Sequence, residues 1–402
     1  MAQRSSVAGH ATDASAVPAA EHPVAAPDPS YPVARTVSAK IAAHFERHRA
    51  AYLGDAAGRQ APEVDAAAIE TMIDAAFWAS LRREEGRSPT VSLAFVPPEQ
   101  AGAPLVFDHH LPLYPAALAR LAPAVERPGI HLGVWRQQGQ FRVWGTTRTL
   151  PPHTFVIEVV ASGLLVIKHR GEPFGKFINV AVLEGDQVKF VDETQGLVPE
   201  CPGVLKSLLG LEGANGRGDS QNVLVQVAVS MRRHGRGGAL LVVPRDSPWL
   251  ESIVTPVLYA LEPPYTELAD LLRRRRDELA DRDWQDALRR AVDGLAGLTA
   301  VDGATILTDQ FDVVGFGAKI TRRRGHSSPE RVIVTEPIEG AAMSTVSPSQ
   351  LGGTRHFSAA QFVHDQHGAI ALVASQDGRF TIFKWSDREN MVHAHRVESL
   401  LL

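Results

Sequence analysis

Residues 351–385 read LGGTRHFSAAQFVHDQHGAIALVASQDGRFTIFKW, and their pattern predicts the core elements of the C-terminal half. Two glycines are followed by Thr354, Arg355 and His356. SAAQFVHDQH predicts a short helix, and GAIALVASQDGRFTIFKW predicts two strands around a Gln-Asp-Gly turn. Small residues beside a hydroxyl, a guanidinium and an imidazole suit a phosphate cradle. Phe357 stands where another cation would complete it.

A second motif lies upstream, between two predicted strands. GGALLVVP (237–244) is a continuous apolar run typical of a central strand, and VDGATILTD (301–309) begins another. The carboxylate of Asp302 can bind a divalent metal ion or accept a hydrogen bond from a hydroxyl, and Gly303 and Ala304 leave room for a sugar or a base. Taken alone, Asp302 can equally cap a turn between helix and strand. Paired with the 351–385 stretch, it favours a nucleotide site.

The pattern along the chain predicts an α/β protein (α+β overall). Residues 1–34, rich in Ala and Pro, are expected to be a disordered tail. Residues 35–215 are expected to hold an N-terminal helix and a mostly antiparallel β-rich domain, with sheet over 89–195. Residues 220–390 alternate helix and strand and predict a mixed sheet wrapped by helices.

The composition excludes several classes of protein. The chain has 402 residues, 44% hydrophobic and 21% charged, with a formal net charge of -4, so no global basic field indicates DNA or anionic lipid. The single cysteine, Cys201, excludes a disulfide within one chain. There is no apolar run of membrane-spanning length and no signal-peptide pattern. We therefore expect a cytoplasmic protein.

Two histidine-bearing segments remain open at this stage. Lys168, His169, Arg170 and Lys176 flank a Gly-rich turn, where they can contact a nucleotide or form a solvated hairpin. The segment MVHAHRVES (391–399) has two histidines at i and i+2, which suits one face of a strand and can hold a metal ion. A solvent-exposed tail is the expectation for it.

The motifs at 237–244, 301–309 and 351–385 together resemble the diadenylate cyclase domain, over about residues 220–386. That family has an Asp-Gly-Ala motif and a later Gly-Thr-Arg-His-Arg motif on loops of a mixed sheet. The resemblance implies ATP as substrate, cyclic di-AMP as product, Mg²⁺ or Mn²⁺ as cofactor, and a face-to-face homodimer. It implies Asp302 as the catalytic and metal-binding residue if the protein is active. The implied nucleotide-binding set is Asp302, Gly303, Ala304, Gly353, Thr354, Arg355, His356 and Ser375.

The chain departs from the family at Phe357, where the family has arginine. Phosphoryl transfer depends mainly on positioning and charge stabilisation, so losing a cation lowers the rate while binding can survive. The resemblance therefore favours a nucleotide sensor like the DACNV-like sensor offshoots of the family, which are associated with bacterial signalling or defence. It would bind ATP or a cyclic dinucleotide. An active diadenylate cyclase and a scaffold with a dead pocket are the alternatives.

Overall fold

The computed structural model describes residues 30–52, 61–84, 86–171, 177–197, 200–211, 218–273 and 282–402. Over these residues the chain forms eight α-helices and seventeen strands. The helices are α1 Pro32–Tyr52, α2 Ala66–Ser80, α3 Pro115–Val125, α4 Gly203–Leu208, α5 Gly218–Arg233, α6 Glu267–Arg273, α7 Arg282–Thr299 and α8 Thr354–Asp365. The mixed α/β fold expected from the sequence is confirmed.

The first sheet has eight strands in the order β2-β4-β3-β1-β5-β6-β7-β8. They are β1 Val91–Phe95, β2 Leu105–Pro112, β3 His131–Gln137, β4 Gln140–Thr147, β5 Phe155–Ala161, β6 Leu164–Arg170, β7 Phe177–Glu184 and β8 Gln187–Phe190. β1 and β3 are parallel, and the other neighbouring pairs are antiparallel. The predicted mostly antiparallel sheet is therefore confirmed.

The second sheet has nine strands in the order β10-β12-β11-β9-β15-β16-β17-β13-β14. They are β9 Gly238–Val243, β10 Tyr259–Tyr265, β11 Ala304–Thr308, β12 Val313–Ala318, β13 Val332–Thr335, β14 Ser344–Val346, β15 Ile370–Ala374, β16 Phe380–Ser386 and β17 Met391–Arg396. β9 is parallel to β11 and β13 to β17, which makes the sheet mixed, as predicted.

Seven consecutive positions of the two sheets have the same topology. β2-β4-β3-β1-β5-β6-β7 corresponds in order to β10-β12-β11-β9-β15-β16-β17. Each pair of neighbours also has the same relative direction, with β1/β3 and β9/β11 as the parallel pairs. One strand arrangement therefore occurs twice along this chain.

Alternating side chains divide each sheet into two packed faces. On β9, Leu240 and Val242 join the core formed with α4 to α7, whereas Leu241 joins the core under α8. The first sheet packs α1, α2 and α3 against one face, where Leu93 lies, and a smaller cluster around Trp144 covers the other. The second sheet is thus covered by helices on both faces, which agrees with its continuous apolar strands.

The two sheets meet where β8 ends and β13 ends. The backbone N–H of Asp192 donates to the carbonyl of Pro337 at 2.9 Å, and that of Glu339 donates to the carbonyl of Phe190 at 2.9 Å. The side-chain amide of Asn179 also donates to the carbonyl of Ser399 at 2.9 Å. Tyr31–Leu402 accordingly forms one compact unit.

Several predicted elements change at their boundaries. α1 begins at Pro32, so residues 32–34 of the expected tail belong to a helix whose Ala34 is fully buried. α3 lies inside the range predicted as sheet. MVHAHR is the internal strand β17, paired on both sides, and its His395 is buried, so the expected exposed tail is wrong there. The pairing of this strand with an apolar strand on each side outweighs the polar composition of the segment.

Other expectations fall outside the described residues. Most of the predicted tail, residues 1–29, is among them. Lys176, from the predicted hairpin, also lies there. Among the helices that the structure describes, none has both the length and the apolar character needed to cross a bilayer.

Candidate functional site

Several of the residues predicted to bind nucleotide lie at one end of the strands of the second sheet, which we call its edge. The register pairs Ala304 of β11 with Ala318 of β12, and Gly238 of β9 with Ala374 of β15. Because β9 and β11 start at this edge while β12 and β15 end there, the residues just outside these strands are brought together. They are Gly237, Asp302, Gly303, Lys319 and Ser375.

Asp302 is exposed at this edge and forms an ion pair with Lys319. Its Oδ2 lies 2.5 Å from the Nζ of Lys319. The hydrogen bond from Lys319 lowers the pKa of Asp302, and the charges of Lys319 and Arg355 lower it further. The carboxylate is therefore ionised at neutral pH and stands close enough to Arg355 to feel its charge.

Gly303 is required by the packing of the chain itself. Its φ is +110°, and a Cβ added there would lie 2.5 Å from the carbonyl carbon of Gly317. Gly317 has a φ of +65° and lies against the ring of Tyr259. The two glycines let β11 start directly against the end of β12, and the buried Ala304 continues the strand.

The Gly-Thr-Arg-His segment is the start of α8, whereas the sequence places it in a loop before a helix at Ser358. Gly353 is the N-cap in an extended conformation, and Thr354 is the first helical residue. The backbone N–H groups of His356 and Phe357 point back to the carbonyl of Gly353. A helix N-terminus carries a partial positive charge and backbone N–H groups that favour anions.

Arg355 is held against the start of β9. A Cβ built on Gly237 would lie 3.2 Å from its Nη1. The Nε of Arg355 is buried and has no hydrogen-bond partner among the described residues. A guanidinium without a partner for a buried N–H has a donor available for an anionic ligand, because buried donors are almost always paired.

His356 points in a different direction from Arg355. Its side chain is buried, packs against Gly352, and meets the ring of Phe383 edge-on at a centroid distance of 6.0 Å. Burial lowers its pKa, so the ring is neutral at pH 7. The structure therefore places His356 under α8, apart from the exposed edge.

Phe357 is 41% exposed in the first turn of α8. The ring therefore lies outside the core. It also supplies no positive charge at the position where the resembling family has arginine.

Ser375 is half-buried in the β15–β16 turn, where its N–H donates to the carbonyl of Arg379 at 2.9 Å.

The edge includes two residues that the sequence analysis missed. Lys319 follows β12 directly, and pairing VVGFGA with ATILT as a hairpin would have placed it beside Asp302. Tyr259 of β10 is 45% exposed and stacks on Phe316 at a centroid distance of 4.7 Å. This aromatic pair, next to Gly317, offers a flat apolar surface.

A divalent ion fits Asp302 only together with a ligand. Mg²⁺ is commonly held by one or two carboxylates plus the phosphates of a substrate. Asp302 supplies one carboxylate, and its nearest partner is the ammonium group of Lys319. A metal ion at Asp302 would therefore displace Lys319 and take further oxygen ligands from phosphate groups.

The predicted basic hairpin of the first sheet is also different in the structure. Lys168 is buried and paired with Glu158, and His169 is 2% exposed. The expectation of a solvated hairpin is therefore wrong for these two residues.

Comparison with known protein families places a match in the first half of the chain. Residues 58–148 match the family described as "Probable sensor domain DACNV". The match covers α2 through β4 and ends at Arg148, so it lies on the first sheet. The motifs that resemble the diadenylate cyclase domain lie instead at about residues 220–386, on the second sheet. No curated protein matches the chain. Over residues 58–148 the chain is thus similar to a probable sensor domain.

Proposed function

We propose that this protein is a nucleotide sensor in which the edge of the second sheet binds ATP or a cyclic dinucleotide. The observation that carries the proposal is Arg355, whose buried Nε has no partner among the described residues. Arg355 lies at the N-terminus of α8 and against Gly237, on the same edge as Asp302 and Lys319.

The charges of this edge suit a phosphate-bearing ligand. Arg355 and the first turn of α8 offer a guanidinium and backbone N–H groups, which together bind phosphate oxygens with charge-assisted hydrogen bonds. Lys319 adds a flexible ammonium group that can exchange its partner, Asp302, for a phosphate. In that exchange Asp302 becomes free to accept a ribose hydroxyl or to hold a metal ion.

The aromatic surface suits the other half of a nucleotide. Tyr259 and Phe316 lie next to Gly317, which itself packs against Gly303. A base stacked on an exposed aromatic ring gains about 1–3 kcal/mol in single-stranded nucleic-acid complexes. The edge therefore offers both cationic groups and an aromatic surface near Asp302.

The sensor role is favoured over catalysis by Phe357 and by the sensor-domain match. A phenylalanine in the first turn of α8 adds no positive charge for a second triphosphate, and charge stabilisation is the main term in phosphoryl transfer. The DACNV match at 58–148 supports a sensing rather than a catalytic module in the same chain.

Calorimetric titration of the full chain with ATP and with cyclic di-AMP tests the proposal. Arg355→Ala is expected to lower the affinity roughly tenfold or more, because a charged hydrogen bond contributes about 1.5–3 kcal/mol. Arg388→Ala is the matched control, since Arg388 follows β16 at the opposite edge of the sheet. Equal affinities for wild type and Arg355→Ala would contradict the proposed site.

Diadenylate cyclase activity is the second candidate, because an ionised and exposed Asp302 is what such an enzyme requires. Incubation with ATP and Mn²⁺, followed by mass spectrometry, distinguishes the two. We expect little or no cyclic di-AMP from wild type, and Phe357→Arg is expected to raise any residual yield. Rapid synthesis by wild type would replace the sensor proposal with the enzyme.

A further inference from the structure

Three histidines and a glutamate converge beside the first sheet, on elements far apart in the chain. His44 and His48 lie in α1, His169 lies near the end of β6, and Glu193 opens the 3₁₀ turn Glu193–Leu197. Their potential ligand atoms all lie within 4.8 Å of one another. This cluster is separate from the edge of the second sheet described above.

The helix contributes two of the four side chains by its own periodicity. His44 and His48 are spaced i, i+4, so both project from the same face of α1. Their ring centroids lie 4.3 Å apart. Two imidazoles one helical turn apart are a common way for a helix to present a pair of metal ligands.

His169 is the strongest single observation. It is 2% exposed, and neither of its ring nitrogens has a hydrogen-bond partner among the described residues. Its ring lies 5.3 Å from that of His48 and 5.9 Å from that of His44, measured between centroids. A buried imidazole with both nitrogens unpaired costs free energy unless something binds it.

Glu193 closes the cluster from the other side. Its Oε1 lies 3.3 Å from the Nε2 of His48 and 3.8 Å from the Nε2 of His44. The second distance is too long for a hydrogen bond, and the Nε2 of His44 is buried without a partner among the described residues. The carboxylate thus faces both helix histidines and satisfies only one of them.

The protonation states suit metal binding. Burial lowers the pKa of His44 to about 4 and that of His169 to about 3. Burial raises the pKa of Glu193, but the hydrogen bond from His48 counteracts burial and the pKa is lowered overall. Neutral imidazoles and an ionised carboxylate are the forms that coordinate a metal ion.

We propose that His44, His48, His169 and Glu193 bind one divalent transition-metal ion of the zinc class. Three imidazole nitrogens and one carboxylate oxygen form a ligand set that Zn²⁺ accepts in tetrahedral geometry. In such a site the donor atoms lie roughly 3.3 Å apart, given metal–nitrogen distances of about 2.0–2.1 Å. The potential donor atoms of the present cluster lie within 4.8 Å of one another.

Four protein ligands leave no open position, so the ion has a structural role. It would fix α1 and the turn at Glu193 to the end of β6. The ring of His153 lies 5.3 Å from that of His169, next to the cluster and outside the set of four.

The test uses the full chain without a purification tag, stripped with EDTA and then dialysed against Zn²⁺ or Co²⁺. Metal analysis is expected to give one ion per chain, and Co²⁺ is expected to give the intense visible bands of a tetrahedral site. His48→Gln and Glu193→Gln are each expected to weaken binding by at least about tenfold, the size of effect seen when a metal's supporting groups are removed. Circular dichroism of the stripped variants verifies that they fold.

His109→Gln is the matched control, because its side chain is 89% exposed and lies on β2, outside the cluster. It is expected to bind as wild type does. The half-exposed Glu193 can be changed without opening the core, so Glu193→Gln keeps the test valid if a histidine variant unfolds. Wild type that takes up no Zn²⁺ or Co²⁺ would overturn the proposal. Equal binding by wild type, His48→Gln and Glu193→Gln would overturn it as well.

Discussion

The two sheets share seven strand positions, yet the side chains and connections at the ends of their strands differ. In the first sheet β4 and β5 are joined by residues 148–154, whereas in the second β12 and β15 are joined by residues 319–369, which contain β13, β14 and α8. The N-terminus of α8, with Arg355, therefore has no counterpart in the short connection of the first sheet. The helix N-terminus that we propose as part of the nucleotide site is therefore present only in the sheet with this longer connection.

The strand in the third position of the shared order, β3 in the first sheet and β11 in the second, also begins with different residues. The first rung joins His131 to Thr147 in the first sheet and Ala304 to Ala318 in the second. Two residues before that rung the second sheet has Asp302, and the first has Gly129. The sensor-domain match thus falls on the sheet without the carboxylate, and the candidate nucleotide site falls on the other.

Substituting Gly303, before β11, or Gly129, before β3, is expected to give the largest contrast in stability. Gly303→Ala is expected to destabilise the protein by about 3 kcal/mol or more, because its Cβ would overlap the backbone of Gly317 at a positive φ. Gly129→Ala meets no atom within 4 Å and is expected to cost only roughly 1–2 kcal/mol for its φ of +81°. Urea unfolding of the two variants measures the difference, and equal losses would contradict the close contact at Gly303.

A buried histidine in each sheet gives the next contrast, in pH dependence. Burial lowers the pKa of His131 to about 4 and that of His395 to about 3. His131 pairs with Ser92 at 2.7 Å, and His395 pairs with Thr335 at 2.8 Å. Each ring must stay neutral in the folded state, while the unfolded chain takes up a proton below about pH 6.5.

Stability should therefore be complete above pH 6.5 and fall as the pH drops toward 4, by up to roughly 2 kcal/mol at pH 5 for each histidine. His131→Gln and His395→Gln should each flatten that decline, although each is also expected to lower stability at pH 7. Thermal melting at several pH values measures the slope. A slope unchanged in both variants would show that these rings do not titrate on unfolding.

Lys319→Ala should give the smallest effect on stability and a clearer one on binding. The ion pair of Lys319 with Asp302 is exposed, and exposed pairs contribute little to folding. We expect an unchanged melting temperature and a several-fold loss of ATP affinity, which disappears at high salt as the remaining charge attraction is screened. Arg148→Ala, at the corresponding position after β4, should leave ATP affinity unchanged. A matching loss in both variants would place the ligand elsewhere.

Local elements were predictable because their signals are local. The apolar run at 237–244 predicts β9, and the turns at Gly139 and at Glu184 to Asp186 predict the β3–β4 and β7–β8 hairpins. The convergence of Asp302 and Arg355 on one edge was also expected. α8 begins four residues earlier than predicted, because Gly353 caps it without a side-chain oxygen that the sequence would reveal.

The remaining features depend on pairing between distant segments. The shared strand order depends on pairs of distant residues, such as Gly238 with Ala374 and Val91 with Val159, and no local periodicity encodes it. β10 contains Pro263 and Pro264 and is an edge strand, where a missing N–H is tolerated. His44 and Glu193 come together only through the docking of α1 on the first sheet, so the local signal of this cluster is limited to the i, i+4 spacing of His44 and His48.

Hydrogen–deuterium exchange with and without saturating ATP or cyclic di-AMP tests whether the nucleotide binds at the second sheet, because it compares both sheets in one sample. We predict slower exchange over residues 302–304 and 353–357, where Asp302 and the first turn of α8 meet the ligand. Residues 129–131, at the corresponding position of the first sheet, should exchange at the same rate with and without ligand. Protection centred on residues 129–131, or no protection over residues 353–357 with ligand bound, would contradict the proposed nucleotide site at the second sheet.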